Sequence, residues 1–172
     1  MNRAALPVLV SVLMPVGIYF ALAALLILSD RQRKATPREG DLSFKELLID
    51  YKNIPQLKTF AARDGKQLAY RHYPARSGKV IILLHGSGWH SQYLFPLAEF
   101  ISSEGLAQVY TPDLRGHGLT PERRGDVDYI DQLEDDLADF LAMVREDNPD
   151  AFFIVGGHSS GGGLAIRFAG SE

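Results

Sequence analysis

Cysteine is absent from the 172 residues. That excludes a disulfide framework, a thiolate nucleophile and any cysteine-ligated metal site. Excess positive charge is also missing: 18 Lys and Arg stand against 21 Asp and Glu, a net charge of −3. The chain therefore carries no electrostatic footprint for nucleic acid. It has no internal repeat and no low-complexity tract, so solenoid and fibrous architectures are set aside. Histidine is scarce and unevenly placed. All five histidines (His72, His85, His90, His117 and His158) precede residue 159.

Charge is lacking in one more place. From Ala4 to Ser29 there is no charged side chain. The run Leu6 to Leu28 is long enough to cross a hydrocarbon core of ~30 Å at ~1.5 Å per residue, so residues 1–30 are expected to be an N-terminal membrane anchor. A secretory signal is the rival reading, since Ala21-Leu22-Ala23 resembles a cleavage site, but Leu25 to Leu28 extend the apolar run beyond it. Pro15 and Gly17 fall mid-span, where a kink is tolerated. Arg31, Arg33, Lys34 and Arg38 come after the run. By the positive-inside rule they place the remainder on the cytoplasmic side. Residues 31–56 read as a linker, with Leu42, Leu47, Leu48 and Tyr51 at the spacing of a short amphipathic helix ended by Asn53 and Pro55.

Residues 57–172 read as alternating strands and helices. Leu57–Ala61 and Gln67–Tyr73 are strand-like and flank Asp64-Gly65, a hairpin signal. Val80–Leu84 is a continuous apolar run, as in a strand covered on both faces. A helix over Pro96–Ser103 would bury Leu97, Phe100 and Ile101, and Gly105 would end it. Gln108–Thr111 is the next strand. A second helix should start near Asp128, which can cap it, and bury Ile130, Leu133, Leu137, Phe140, Leu141 and Val144. Its acids Asp131, Glu134, Asp135 and Asp136 suit the positive end of the helix dipole and read as a solvated face rather than a metal site. The order of elements implies a mostly parallel α/β sheet with helices on both faces and an antiparallel hairpin at one edge.

The most informative stretch is Phe152 to Gly162. An apolar strand ends in glycines, a serine comes next, and a helical pattern resumes. Gly157, Ser159 and Gly161 spell G-x-S-x-G. Between a strand and a helix this spacing makes a sharp turn with the serine Oγ at its tip, a nucleophile elbow. Residues two before and two after the serine pass too close for side chains, so glycine is needed at Gly157 and Gly161. Ser159 is the candidate nucleophile. Ser160 has no glycine two residues before it. His85-Gly86-Ser87-Gly88 ends the Val80–Leu84 strand, where open α/β sheets bind ligands and where backbone N–H groups can face a developing oxyanion.

These segments resemble the α/β-hydrolase superfamily, and within it the monoacylglycerol lipase, lysophospholipase and serine aminopeptidase-like group. His85-Gly86-Ser87-Gly88-Trp89-His90-Ser91-Gln92-Tyr93 is similar to that group's H-G-x-G-x-H-S-x-x-Y loop. Asp113-Leu114-Arg115-Gly116-His117-Gly118 is similar to its D-x-R/H-G-H-G loop, and Gly157 to Gly162 to its G-H-S-x-G-G elbow. The resemblance implies a serine hydrolase acting on carboxylic or lipid esters, with no cofactor and no metal. It implies Ser159 as nucleophile, the backbone N–H groups of Ser87 and Ser160 as oxyanion donors, and His85, His90 and His117 as loop-shaping residues.

The chain departs from that pattern in one respect. The group places an acid and then a histidine after the serine. The thirteen residues after Ser159 contain no histidine, and their single acid is Glu172. A serine hydroxyl without a base is a weak nucleophile. The chain is therefore expected to be the N-terminal part of a longer hydrolase, inactive by itself. The other readings are a non-catalytic membrane-tethered interaction domain, or an acyltransferase or peptidase on the same scaffold.

Overall fold

The structure is a computed structural model that describes residues 5–31, 50–118 and 123–171. Two compact units divide at Leu48 and Ile49. In the first, helix α1 runs over Ala5–Arg31 with Pro15 inside it. Among the described residues no helix is long and apolar enough to cross a membrane. The segment is helical, but the expected transmembrane anchor is unsupported. The amphipathic helix expected around Leu42 to Leu48 lies outside the described residues. At the start of the second unit a single 3-10 turn, Tyr51–Asn53, is capped by the Asp50 carboxylate.

The second unit is a five-stranded sheet with helices on both faces. Its strands are β1 (Lys58–Ala61), β2 (Gln67–Tyr73), β3 (Lys79–Leu84), β4 (Gln108–Pro112) and β5 (Phe152–Gly157), in the spatial order β1-β2-β4-β3-β5. β1 and β2 form the expected hairpin, with Gly65 at φ 84° in its turn. β2 also pairs antiparallel with β4, while β3 pairs parallel with both β4 and β5. The sheet is mixed, half of its pairings antiparallel, where the sequence implied a mostly parallel one. The hairpin is inserted into the sheet as a continuous antiparallel flank, which the linear order of elements does not reveal.

The two faces are covered by different helices. Helix α2 (Phe95–Ser103) packs with Tyr73, Val109, Ile81 and Leu83 on one side. Helices α3 (Gln132–Asp147) and α4 (Ser160–Ala169) cover the other, where Val80, Ile82 and Leu84 meet Leu137, Phe140, Val144, Leu164 and Phe168. Alternate β3 residues thus enter two separate cores, as the pleat requires.

Two helix expectations need correction. In α2 the buried residues are Phe95 and Ala98, with Ile101 half-buried; Leu97 and Phe100 are 50% and 58% exposed. The stripe follows the i, i+3, i+6 line through a small alanine, which allows close approach to the sheet, and not the larger side chains. Helix α3 begins at Gln132, and Ile130 is 83% exposed. Asp128 is no cap; its backbone N–H donates to the Gln132 side chain. The acids of α3 are not simply solvated. Asp136 binds buried Arg115, Asp135 and Asp139 bind Arg63, and Asp131 and Glu134 bind Arg167.

Candidate active site

Three loops meet where parallel strands β3, β4 and β5 end. The tightest is the turn from β5 into α4. Ser159 there has φ 53° and ψ −122°, a conformation that non-glycine residues rarely adopt. The glycines show why the chain tolerates it. A Cβ on Gly157 would lie 2.5 Å from the Gly161 carbonyl carbon, and one on Gly161 would lie 2.5 Å from the carbonyl oxygens of Leu84 and His85. Both distances are well inside van der Waals contact, so the ±2 glycines are a steric requirement of this turn. The Oγ-bearing residue Ser159 is exposed at the tip. The turn is tied to β3 by His158 N–H donating to Leu84 C=O at 3.0 Å, and closed by Gly161 N–H donating to His158 C=O at 3.0 Å.

The loop after β3 lies directly against this turn. A Cβ on Gly86 would approach His158 Nδ1 at 3.3 Å and Ser159 Cβ at 3.4 Å. Ser87 N–H donates to Ser160 Oγ at 2.7 Å, and Ser160 Oγ donates to Ser87 Oγ at 3.3 Å. The structure therefore brings together all five residues singled out from the sequence: Gly157, Ser159, Ser160, Gly161 and Ser87. Sequence reasoning assigns a role to the Ser160 backbone and none to its side chain. The available signal for the side chain is the Ser159-Ser160 pair itself, a second hydroxyl at the first turn of the helix.

His85 joins this loop to the one after β4. It is fully buried. Leu114 N–H donates to its Nε2 at 2.9 Å, so Nε2 carries the lone pair and the proton sits on Nδ1, which donates to Gly86 C=O at 2.8 Å. Burial holds its pKa below the ordinary histidine value, and the Gly86 carbonyl opposes that only in part. A neutral, doubly committed imidazole cannot act as a base, which agrees with its expected loop-shaping role. His117 Nδ1 pairs with the Arg115 carbonyl, and its ring lies 5.1 Å from that of His85. His158 turns toward Tyr93, ring centroids 5.8 Å apart.

The loop after β4 is held from below. Asp113 is buried and accepts Ser91 N–H at 2.6 Å. Gly118 sits at φ 81°, where a Cβ would lie 2.3 Å from Asp113 Oδ2. Arg115 is buried between Asp136 at 2.7 Å and Asp64 at 2.8 Å. At the rim, Trp89 is 58% exposed and packs on Tyr93 with centroids 5.3 Å apart.

A mixed sheet with helices on both faces, a strained serine between strand and helix, and a glycine loop against it define an α/β-hydrolase. The family model for serine aminopeptidase, S33, matches residues 75–172, more than half of the chain. The chain belongs to that family. It is similar to a monoacylglycerol lipase of Mycolicibacterium smegmatis, 30% identical over 112 residues, covering 64% of this chain and 40% of that protein. Protein phosphatase methylesterase 1 of Bos taurus is 26% identical over 131 residues, 72% of this chain and 34% of that one. Among solved structures, a soluble variant of monoglyceride lipase from Saccharomyces cerevisiae in complex with a substrate analogue superposes with a TM-score of 0.62 at 26% identity, covering 71% of this chain and 41% of that one. The chain thus spans about 40% or less of the length of these relatives.

Proposed function

We propose that the whole protein to which this chain belongs is a serine hydrolase of carboxylic esters, working through an acyl-enzyme on Ser159. The observation that carries this reading is the backbone of Ser159, strained at φ 53° between two glycines that admit no side chain. Such strain persists where the surrounding fold holds it for a purpose. In the proposed reaction the Ser159 hydroxyl attacks the ester carbonyl and its proton passes to a histidine base. The carbonyl π pair moves onto oxygen, held by the N–H groups of Ser87 and Ser160 at the positive end of α4. Collapse expels the alcohol with that proton, and water repeats the sequence to release the acid. None of the five histidines here serves as the base. His85 is neutral, buried and committed at both ring nitrogens, and His158 adjoins the nucleophile in the turn. The base and its acid partner are proposed to come from residues beyond these 172.

Lipid esters are the proposed substrate class. The support is the likeness to monoacylglycerol and monoglyceride lipases and the exposed Trp89, packed on half-buried Tyr93, at the rim. Location is proposed on the same footing. The uncharged stretch from Ala4 to Ser29, with Arg31, Arg33, Lys34 and Arg38 after it, would keep the domain at a membrane on its cytoplasmic side. A reporter fused after Arg38 that worked only outside the cytoplasm would contradict the orientation.

The test of function is a substrate panel applied to the full-length protein: a long-chain monoacylglycerol, a lysophospholipid, a short-chain nitrophenyl ester and an aminoacyl amide. Ester hydrolysis that disappears in Ser159→Ala is expected. Hydrolysis that survives the substitution, or no ester turnover at all, would overturn the reading.

A further inference from the structure

The Ser87 N–H, the donor expected to face a substrate oxyanion, already has an acceptor. That acceptor is the Ser160 hydroxyl at 2.7 Å. Ser160 opens α4, immediately after Ser159, and its own proton is directed at Ser87 Oγ across a longer 3.3 Å contact. The loop that carries Ser87 lies at the surface. Gly88 takes φ 75° with open space around it, and Ser87 is exposed. One N–H cannot serve two acceptors at full strength, so a carbonyl oxygen entering the site must compete with Ser160 Oγ.

Resting on the proposed acyl-transfer reading, we infer that the Ser160 side chain is an exchangeable internal ligand of the oxyanion site. In the free protein it accepts the Ser87 N–H. When negative charge develops on the substrate oxygen, the N–H turns to that oxygen, and the Ser160 hydroxyl turns its own O–H onto it as a further donor. No covalent bond is made or broken in this exchange; the two hydrogen bonds within the protein, Ser87 N–H to Ser160 Oγ and Ser160 O–H to Ser87 Oγ, are replaced by two to the substrate oxygen. The physical consequence is selectivity for the transition state. A neutral ester carbonyl is a weak acceptor and competes poorly with the hydroxyl. An oxyanion accepts charge-assisted hydrogen bonds about twice as strong and displaces it. Ground-state binding is held back while transition-state binding gains a donor, and only that difference raises kcat.

Three variants test this: Ser160→Ala, which removes the hydroxyl, Ser160→Thr, which keeps it, and Ser159→Ala as the reference without nucleophile. Kinetics use a short-chain nitrophenyl ester and the full-length protein. A preorganised oxyanion donor is worth ~10²–10³ in kcat. Ser160 must first give up its present partners, so Ser160→Ala is expected to lower kcat by about tenfold and to lower KM as well, with Ser160→Thr restoring both. A hydroxyl that only braced the loop would lower kcat while raising KM, and that result would overturn the inference. A second measurement needs no turnover. Amide exchange at Ser87 in the full-length protein should be slow in the wild type and in Ser160→Thr, and fast in Ser160→Ala. Equal exchange in all three overturns the inference. Absence of wild-type turnover overturns the hydrolase reading and the exchange with it, whereas normal turnover unchanged by Ser160→Ala overturns the exchange alone.

Discussion

At the scale of single residues the site is set by what cannot be placed in it. Gly161 is closed by two carbonyl oxygens at 2.5 Å from a prospective Cβ, whereas Gly163, two residues on in the same helix, has nothing within 4 Å. Ala at the two positions should act in opposite directions. Gly161→Ala forces backbone apart and is expected to cost about 2–3 kcal/mol. Gly163→Ala restricts the unfolded chain and favours the helix, and is expected to stabilise by about 0.5–1 kcal/mol. Thermal melts of the two variants check this, and equal shifts would contradict the steric account of the elbow. His85 gives a second residue-scale prediction. Its folded pKa is depressed by burial, so it contributes stability above the ordinary histidine pKa of ~6.5 that is lost as pH falls through its folded value. At pH 6.5, where an exposed imidazole is half protonated, nitrogen NMR should show His85 neutral with its proton on Nδ1. A protonated ring at that pH would contradict the hydrogen bonds that fix the loop after β4.

At the scale of elements, the β1–β2 turn is fastened to α3 by charge. Arg63 binds Asp139 through its side chain and its backbone N–H, and also Asp135, while Asp64 reaches Arg115. The Arg63 hydrogen bond holds the Asp139 carboxyl below its usual range, and the Arg115 hydrogen bond does the same for Asp64. Depressed carboxylate pKa values contribute stability above the unfolded value of ~4, lost as pH falls through the folded ones. Stability should therefore fall below about pH 5, and fall less in Asp139→Asn, as followed by melts across pH. Identical acid profiles would contradict the fastening. These links are illegible in the sequence, where the acids of α3 read as a solvated face, because their arginines come from the β1–β2 turn, from the loop after β4 and from α4. The strands, the hairpin and the elbow are legible because each depends on local pattern: an apolar run, Asp64-Gly65, glycines at ±2 from a serine. The antiparallel β2–β4 pairing and the α2 stripe through Ala98 are not, since both depend on which element a face meets. The site is legible in its backbone roles. The Ser160–Ser87 contact is not, because it spans 73 residues.

At the scale of the molecule, β5 carries the serine turn and pairs with β3 alone among the described residues. Phe152 is 67% exposed on it, and Ile166 on the following helix 77%. An open apolar strand edge invites pairing with another chain. Residues 41–172 expressed alone should self-associate, and Ile154→Lys on β5 should reduce that association, as read by light scattering. A monomeric, cooperative melt of the unsubstituted segment would contradict this. The assignment of a hydrolase rests in the end on Ser159. Intact-mass analysis of the full-length protein treated with a fluorophosphonate should show one phosphonyl adduct, mapped to Ser159 and absent from Ser159→Ala. No adduct, or one on another residue, would contradict the account.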